Sequence, residues 1–202
     1  MEKETGRLEA FSDGVFAIAI TLLVLELKVP QVAEHGAEPT TPALEASLLR
    51  LWPSYLALLT SFFTVLIMWV HHHIIFKLVR RADATLLFAN GFLLLLVSVV
   101  PFPTAVVAEY LATPAASAAC ELYTTVFVGI AVAFYLVMMA AFREQTLDPE
   151  ASAERVRRFR RDYKLGPPLY ILAAVAARFS PMLSIGICTA LWIFWAFTTG
   201  EC

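Results

Sequence analysis

A helical membrane protein of six spans is the fold class that the sequence predicts, and three observations carry it. The first is composition: 59% of the 202 residues are hydrophobic and 16% charged, with a mean hydropathy of +0.72, far more apolar than a soluble domain of this size. The second is length, because a spanning helix needs about 20 residues, so 202 residues hold about six spans and little else. The third is the placement of the cations. Twelve lysines and arginines fall in segments that six spans would put on one side of the membrane, and only Lys28, Arg50 and Arg178 fall on the other. By the positive-inside rule both termini are then cytoplasmic.

The spans follow from apolar runs and their breakers. The first covers about residues 8–29 and ends at Pro30, which cannot continue a helix. Residues 31–47, with Glu34, Glu38 and Glu45 and no cation, read as an acidic external loop. The second span covers about 53–78, opening with a belt tryptophan and a first-turn proline, Trp52-Pro53, and closing in His71-His72-His73. The third covers about 84–100 and is expected to stop at Pro101-Phe102-Pro103, followed by a short loop with Glu109 and Pro114. The fourth covers about 118–142. Residues 143–164, with Arg155, Arg157, Arg158, Arg160 and Arg161, read as a basic cytoplasmic connector. The fifth and sixth, about 168–179 and 182–198, form a short hairpin whose first arm is below the usual spanning length. The whole of 1–202 reads as a single membrane domain.

Other classes fall away on the same page. Lys3 and Arg7 precede an apolar run, as in a signal peptide, but no small-x-small cleavage site follows. Cys120, Cys188 and Cys202 form no C-x-x-C pair and read as small hydrophobes and a free thiol. The net charge of −2 gives no reason to expect nucleic acid. No nucleophile elbow, phosphate loop or convergent carboxylate pair points to an enzyme, and no cofactor is expected. No internal repeat and no inverted pair of broken helices, the marks of many secondary transporters, is visible.

The first segment is the informative one. At about 100° per residue, Phe11, Gly14, Val15, Ile18, Leu22, Leu25 and Val29 share one face with Thr21 at its edge, while Asp13 falls on the other with Ala17, Ile20 and Val24. A carboxylate near the start of a membrane helix is disfavoured unless paired. The stripe and the acid therefore have different jobs, and Asp13 is expected to point into the protein's own packing.

The opening Arg7-x-x-x-Phe11-Ser12-Asp13, with Trp69-x-x-His72 at the end of the second segment and Asn90 before Pro101-Phe102-Pro103-Thr104, resembles the signature of the transmembrane protein 175 family, potassium-permeable channels of bacteria and of endosomes and lysosomes. The resemblance covers about half the chain by motif. It implies a homotetramer in the lipid bilayer whose first helices line a central K+ pathway, with Ile18, Leu22 and Leu25 as its narrowest rings and Thr21 sharing in selection of potassium over sodium. It also implies that Asp13, Ser12 and Arg7 bond with Trp69, His72 and Asn90 to hold the pore helix in place. A single unit of about 200 residues resembles the bacterial form rather than the two-repeat animal form, which implies the plasma membrane.

Each motif also has a plainer reading. The stripe is otherwise helix packing or lipid contact, and Thr21 a small polar packing residue. Asp13, Ser12 and Arg7 could form an ion site or a proton relay rather than a clamp. Consecutive histidines fan out by about 100° each and cannot converge on one metal ion; His72 is the expected clamp partner, His71 and His73 are expected at headgroup level, and a pH-sensing role is open. Glu26 and Lys28 either shape the cation concentration at an outer mouth or are simply interfacial. The Arg155 to Arg161 cluster reads as a topological anchor against anionic lipid rather than a ligand site. No Thr-Val-Gly-Tyr-Gly filter occurs, so only modest selectivity is expected. A proton-coupled transporter using Asp13 and His72, or a non-conducting scaffold, are the competing functions.

Overall fold

The computed structural model describes residues 5–30 and 40–199, in which helices are joined by short connections and one isolated backbone bridge pairs Val79 with Leu147. In chain order, α1 is Gly6–Leu22, extended by a single 3-10 turn at Leu23–Glu26, and α2 is Thr41–Arg50. Then follow α3 (Trp52–Lys77), α4 (Ala84–Val99), α5 (Pro101–Tyr110), α6 (Ala116–Ala141), α7 (Ala153–Tyr163), α8 (Gly166–Ala177) and α9 (Pro181–Thr199). Lys3, Glu34, Glu38 and Cys202, which entered the sequence reading, lie outside the described residues.

Among the described residues, five helical stretches are long and apolar enough to cross a membrane: Gly6–Glu26, Trp52–Lys77, Ala84–Tyr110, Ala116–Ala141 and Pro181–Thr198. α8, at 12 residues, is not. At about 1.5 Å per residue it reaches roughly 18 Å, against a hydrocarbon core of about 30 Å.

α6 is the hub. It packs against α4, α5, α8 and α9, and 56% of its span is buried within the chain, against 22% of the first span. Inside a bilayer, close packing and hydrogen bonding hold helices together, because lipid is as apolar as leucine. α6 suits that: Ala119, Ala133, Ala140 and Ala141 keep its buried face narrow, and Ala173 and Ala177 do the same on α8. α1 sits at the edge, packed on α3 and α4 through Ser12, Phe16, Ala19 and Leu23.

Four expectations need correction. The first helix does not run to Val29. Pro30 has no N–H to offer the Glu26 carbonyl, so the last bonds close three residues apart, as Leu27 N–H to Val24 O at 3.1 Å does, and Leu27 turns extended. Nor do the two prolines end the third span. They occupy the first turn of α5, where a missing N–H has no intrahelical partner to lose, so a second helix starts at once and the span runs 27 residues, Ala84–Tyr110, carrying Glu109 with it. The Val97 carbonyl, deprived of the Pro101 N–H, takes that of Val100 at 3.1 Å. Part of the acidic loop is the helix α2, with Pro42 in its first turn. Finally, the basic connector folds: α7 is capped by Ser152 and buries Val156, Phe159 and Tyr163 against the bundle.

Candidate functional site

The buried positions of the first span, Ser12, Phe16, Ala19 and Leu23, recur at helical spacing and point into the subunit. The opposite arc is bare. Ile18 is 61% exposed, Leu22 40% and Leu25 69%, with Thr21 beside them. The Thr21 hydroxyl donates to its own helix at Ile18 O, 2.9 Å away, so its proton is occupied and its oxygen lone pairs remain for an outside partner. Three aliphatic side chains and one acceptor oxygen thus lie on a face that nothing among the described residues covers.

Behind this face lies a polar brace, and it divides in two. Trp69 Nε1–H donates to Asp13 Oδ1 at 2.8 Å, on the exposed flank of α1. Deeper in, His72 Nε2 lies 2.8 Å from Asn90 Oδ1, Asn90 Nδ2 donates to Ser12 Oγ at 3.0 Å, and Ser12 Oγ donates to Leu8 O at 2.8 Å. With Asn90 oriented this way, His72 carries its proton on Nε2 and every donor in the series has an acceptor. His72 is fully buried, stacked on Phe76 at 4.3 Å and flanked by Phe16 at 5.4 Å. The brace joins α1 to α3 and α4, the two helices it packs against.

The expected motif is therefore gathered only in part. Asp13 is exposed rather than packed inward, and among the described residues its side-chain partner is Trp69; Asn90 instead joins Ser12 to His72. Arg7 and Phe11 are exposed and join neither network among the described residues, because their positions on α1 point away from α3 and α4.

The three histidines diverge as helical geometry requires, and His71 faces the interior of the bundle. It is buried, with Nδ1 2.7 Å from the Tyr163 hydroxyl on α7 and Nε2 3.1 Å from the Trp195 carbonyl on α9. The carbonyl can only accept, so Nε2 donates and Nδ1 accepts from Tyr163. His73 lies alongside Trp69.

Two polar features escaped the sequence reading. A chain of hydroxyls runs from Tyr123 on α6 through Ser61 on α3 (3.1 Å) to Thr104 on α5 (2.8 Å), and Thr104 donates to Val100 O at 2.8 Å, beside the proline kink. The signal available was the spacing of Thr60, Ser61 and Thr64 within an aliphatic run. At the other end of the first span, Lys28 Nζ meets Glu109 Oε2 at 2.8 Å and so ties the 3-10 exit to α5. That neighbour raises the Lys28 pKa through its hydrogen bond first and its charge second. Cys120 and Cys188 are buried and free.

Spans of this length and apolarity, braced by hydrogen bonds between helices, define a multi-pass integral membrane protein whose first helix leaves its Ile18, Leu22 and Leu25 face exposed. The family profile described as "Endosomal/lysosomal potassium channel TMEM175" matches residues 7–101. A potassium channel of Chamaesiphon minutus is 50% identical over 196 residues, covering 96% of this chain and 95% of that one. A potassium channel of Streptomyces collinus is 41% identical over 196 residues, 96% and 92% of the two chains. The crystal structure of a "lysosomal potassium-selective channel TMEM175 homolog" from Chamaesiphon minutus superposes with a TM-score of 0.86 at 48% identity over 98% of both chains. The chain belongs to the TMEM175 family.

Proposed function

We propose that the protein is a potassium-permeable, weakly selective cation channel of the plasma membrane, assembled as a homotetramer with α1 of each copy around one axis. The observation that carries this reading is the bare stripe of Ile18, Leu22 and Leu25 in a chain whose relatives are named potassium channels. One copy cannot enclose a pathway, so closure by symmetry is required. Four aliphatic rings exclude water and raise the barrier to an ion that can neither keep nor replace its hydration shell, and modest widening opens the path. Thr21 supplies acceptor oxygens beside these rings. Without a carbonyl-cage filter, discrimination between potassium and sodium is modest. α8 serves as a short fifth span, which puts both termini on the cytoplasmic side. K+ is the permeant ion and no cofactor is involved.

In this reading the polar brace is structural. Asp13 and His72 sit in separate networks, and the indole that holds Asp13 is a donor only, so the pair is poorly built to relay a proton. Reconstitution of the full chain in lipid bilayers tests the proposal. Single-channel steps with a reversal potential that shifts when sodium replaces potassium support it; saturable, gradient-coupled uptake would mean a transporter, and silence a scaffold.

A further inference from the structure

The basic segment after α6 does more than mark a side of the membrane. Where α6 ends, Arg143, Arg160 and Lys164 line a cleft of about 460 Å³ whose wall is Tyr135, Met139 and Phe142. Tyr135 and Met139 are one turn apart on α6, and Met139 is 48% exposed on the outer surface of the span. The guanidinium of Arg160 is already positioned: Nη2 donates to Phe142 O at 2.7 Å, which caps the C-terminus of α6, and its other N–H groups bond to no described residue. Arg143 shares one donor with Asp83 at 3.0 Å. Lys164 is exposed and bonds to no described residue.

The two flanks of α7 differ in charge. The cleft of about 220 Å³ on its other side sets Arg155 and Arg158 against Glu154 and Asp162, two cations to two carboxylates. The cleft at the end of α6 sets three cations against Glu144 in its lining, with Asp83 behind Arg143, which still leaves the cations in excess. Only this second cleft opens beside an apolar strip on the lipid-facing side of a membrane span.

We propose that the cleft of Arg143, Arg160 and Lys164 is a binding site for one anionic phospholipid, its phosphate held by the three cations and its acyl chain laid along Tyr135 and Met139. Charge complementarity selects an anionic headgroup, and the apolar wall one turn deeper selects a lipid over a soluble phosphate. The site stands or falls separately from ion conduction.

Native mass spectrometry of the full chain in detergent, titrated with phosphatidylglycerol and with phosphatidylcholine of the same acyl chains, tests it. Phosphatidylglycerol is expected to be retained in preference, and Lys164→Gln to weaken that retention about fivefold, the worth of one cation near an anionic headgroup. Arg155→Gln, on the charge-balanced flank, is expected to leave it unchanged. Equal retention of the two lipids overturns the proposal, as does an unaffected Lys164→Gln variant. An equal loss in Arg155→Gln would mean diffuse attraction rather than a site. Displacement of the lipid by inorganic phosphate at matched concentration would mean that the cleft reads the phosphate alone, and overturns the lipid assignment.

Discussion

The Trp69 indole donates to one carboxylate oxygen of Asp13 across 2.8 Å, pinning the first turns of α1 to α3 on the flank away from Ile18 and Leu25. A charge-assisted bond of this kind is worth about 1.5–3 kcal/mol. Asp13→Ala is expected to lower the yield and melting temperature of folded assembly, with little change in ion selectivity. Fluorescence-detected size exclusion and reversal potentials measured on the same preparation check this; normal yield with altered selectivity would contradict it. Trp69→Phe should lower stability in the same way, and the double variant should cost less than the two single effects added.

Asn90 is the member of the deeper network that can be least spared, because it serves Ser12 and His72 at once. Asn90→Leu keeps the branching of the side chain but leaves the His72 Nε2–H without its acceptor, an orphan costing about 1–3 kcal/mol, while Ser12 keeps its bond to Leu8 O. A larger drop in melting temperature than for Asp13→Ala is expected, measured in the same detergent.

Ile18 and Leu25 carry the proposed barrier. Replacing Ile18 by Asn wets the ring with a side chain of the same heavy-atom count, and potassium flux into reconstituted liposomes is expected to rise severalfold. An unchanged or reduced flux counts against these side chains as the constriction.

Thr21→Val keeps the shape of the side chain and removes the acceptor oxygen. If that oxygen contributes about 1 kcal/mol to potassium over sodium, the permeability ratio falls roughly fivefold. Bi-ionic reversal potentials measure it directly.

Lys28 and Glu109 form an exposed pair, so its contribution is small and salt-sensitive. Because the lysine pKa is raised above its ordinary value of 10.5 in the folded protein, the pair's stabilisation is complete below that value and is lost as pH rises through the raised one. Melting temperatures of the native chain and of Lys28→Gln should therefore differ slightly at neutral pH and converge in strongly alkaline buffer.

Much of the architecture was legible along the chain. The helices α3, α6, α8 and α9 begin and end within about two residues of the apolar runs marked out along the chain, because uninterrupted apolar runs between polar breakers leave little choice of register. The first helix was legible only on one side: the stripe of Ile18, Leu22 and Leu25 was marked out by a fixed turn angle, but the buried side is Ser12, Phe16, Ala19 and Leu23 rather than the Asp13 side. Pro30 and the Pro101/Pro103 pair misled, whereas Pro53 was read correctly as a first-turn residue. A breaker residue tells where a hydrogen bond is missing, not whether the neighbouring carbonyl finds another donor, and Val97 found Val100 whereas Glu26 found no successor to Pro30.

Partner choice was not legible at all. Ser12, Asp13, Trp69, His72 and Asn90 could all be named from their polarity in apolar surroundings, yet which bonds to which depends on the rotation of α1 against α3 and α4. That rotation is set by Phe16, Ala19 and Leu23 fitting among side chains more than forty positions away. Composition and periodicity by themselves determined a membrane bundle with one amphiphilic first helix, because the cost of placing polar groups in lipid acts locally on each segment. Only the packed tertiary structure decided that Asp13 goes to Trp69, that Asn90 bridges Ser12 and His72, and that α7 folds back on the bundle, because hydrogen bonds between helices need distances of about 3 Å that no single segment can specify.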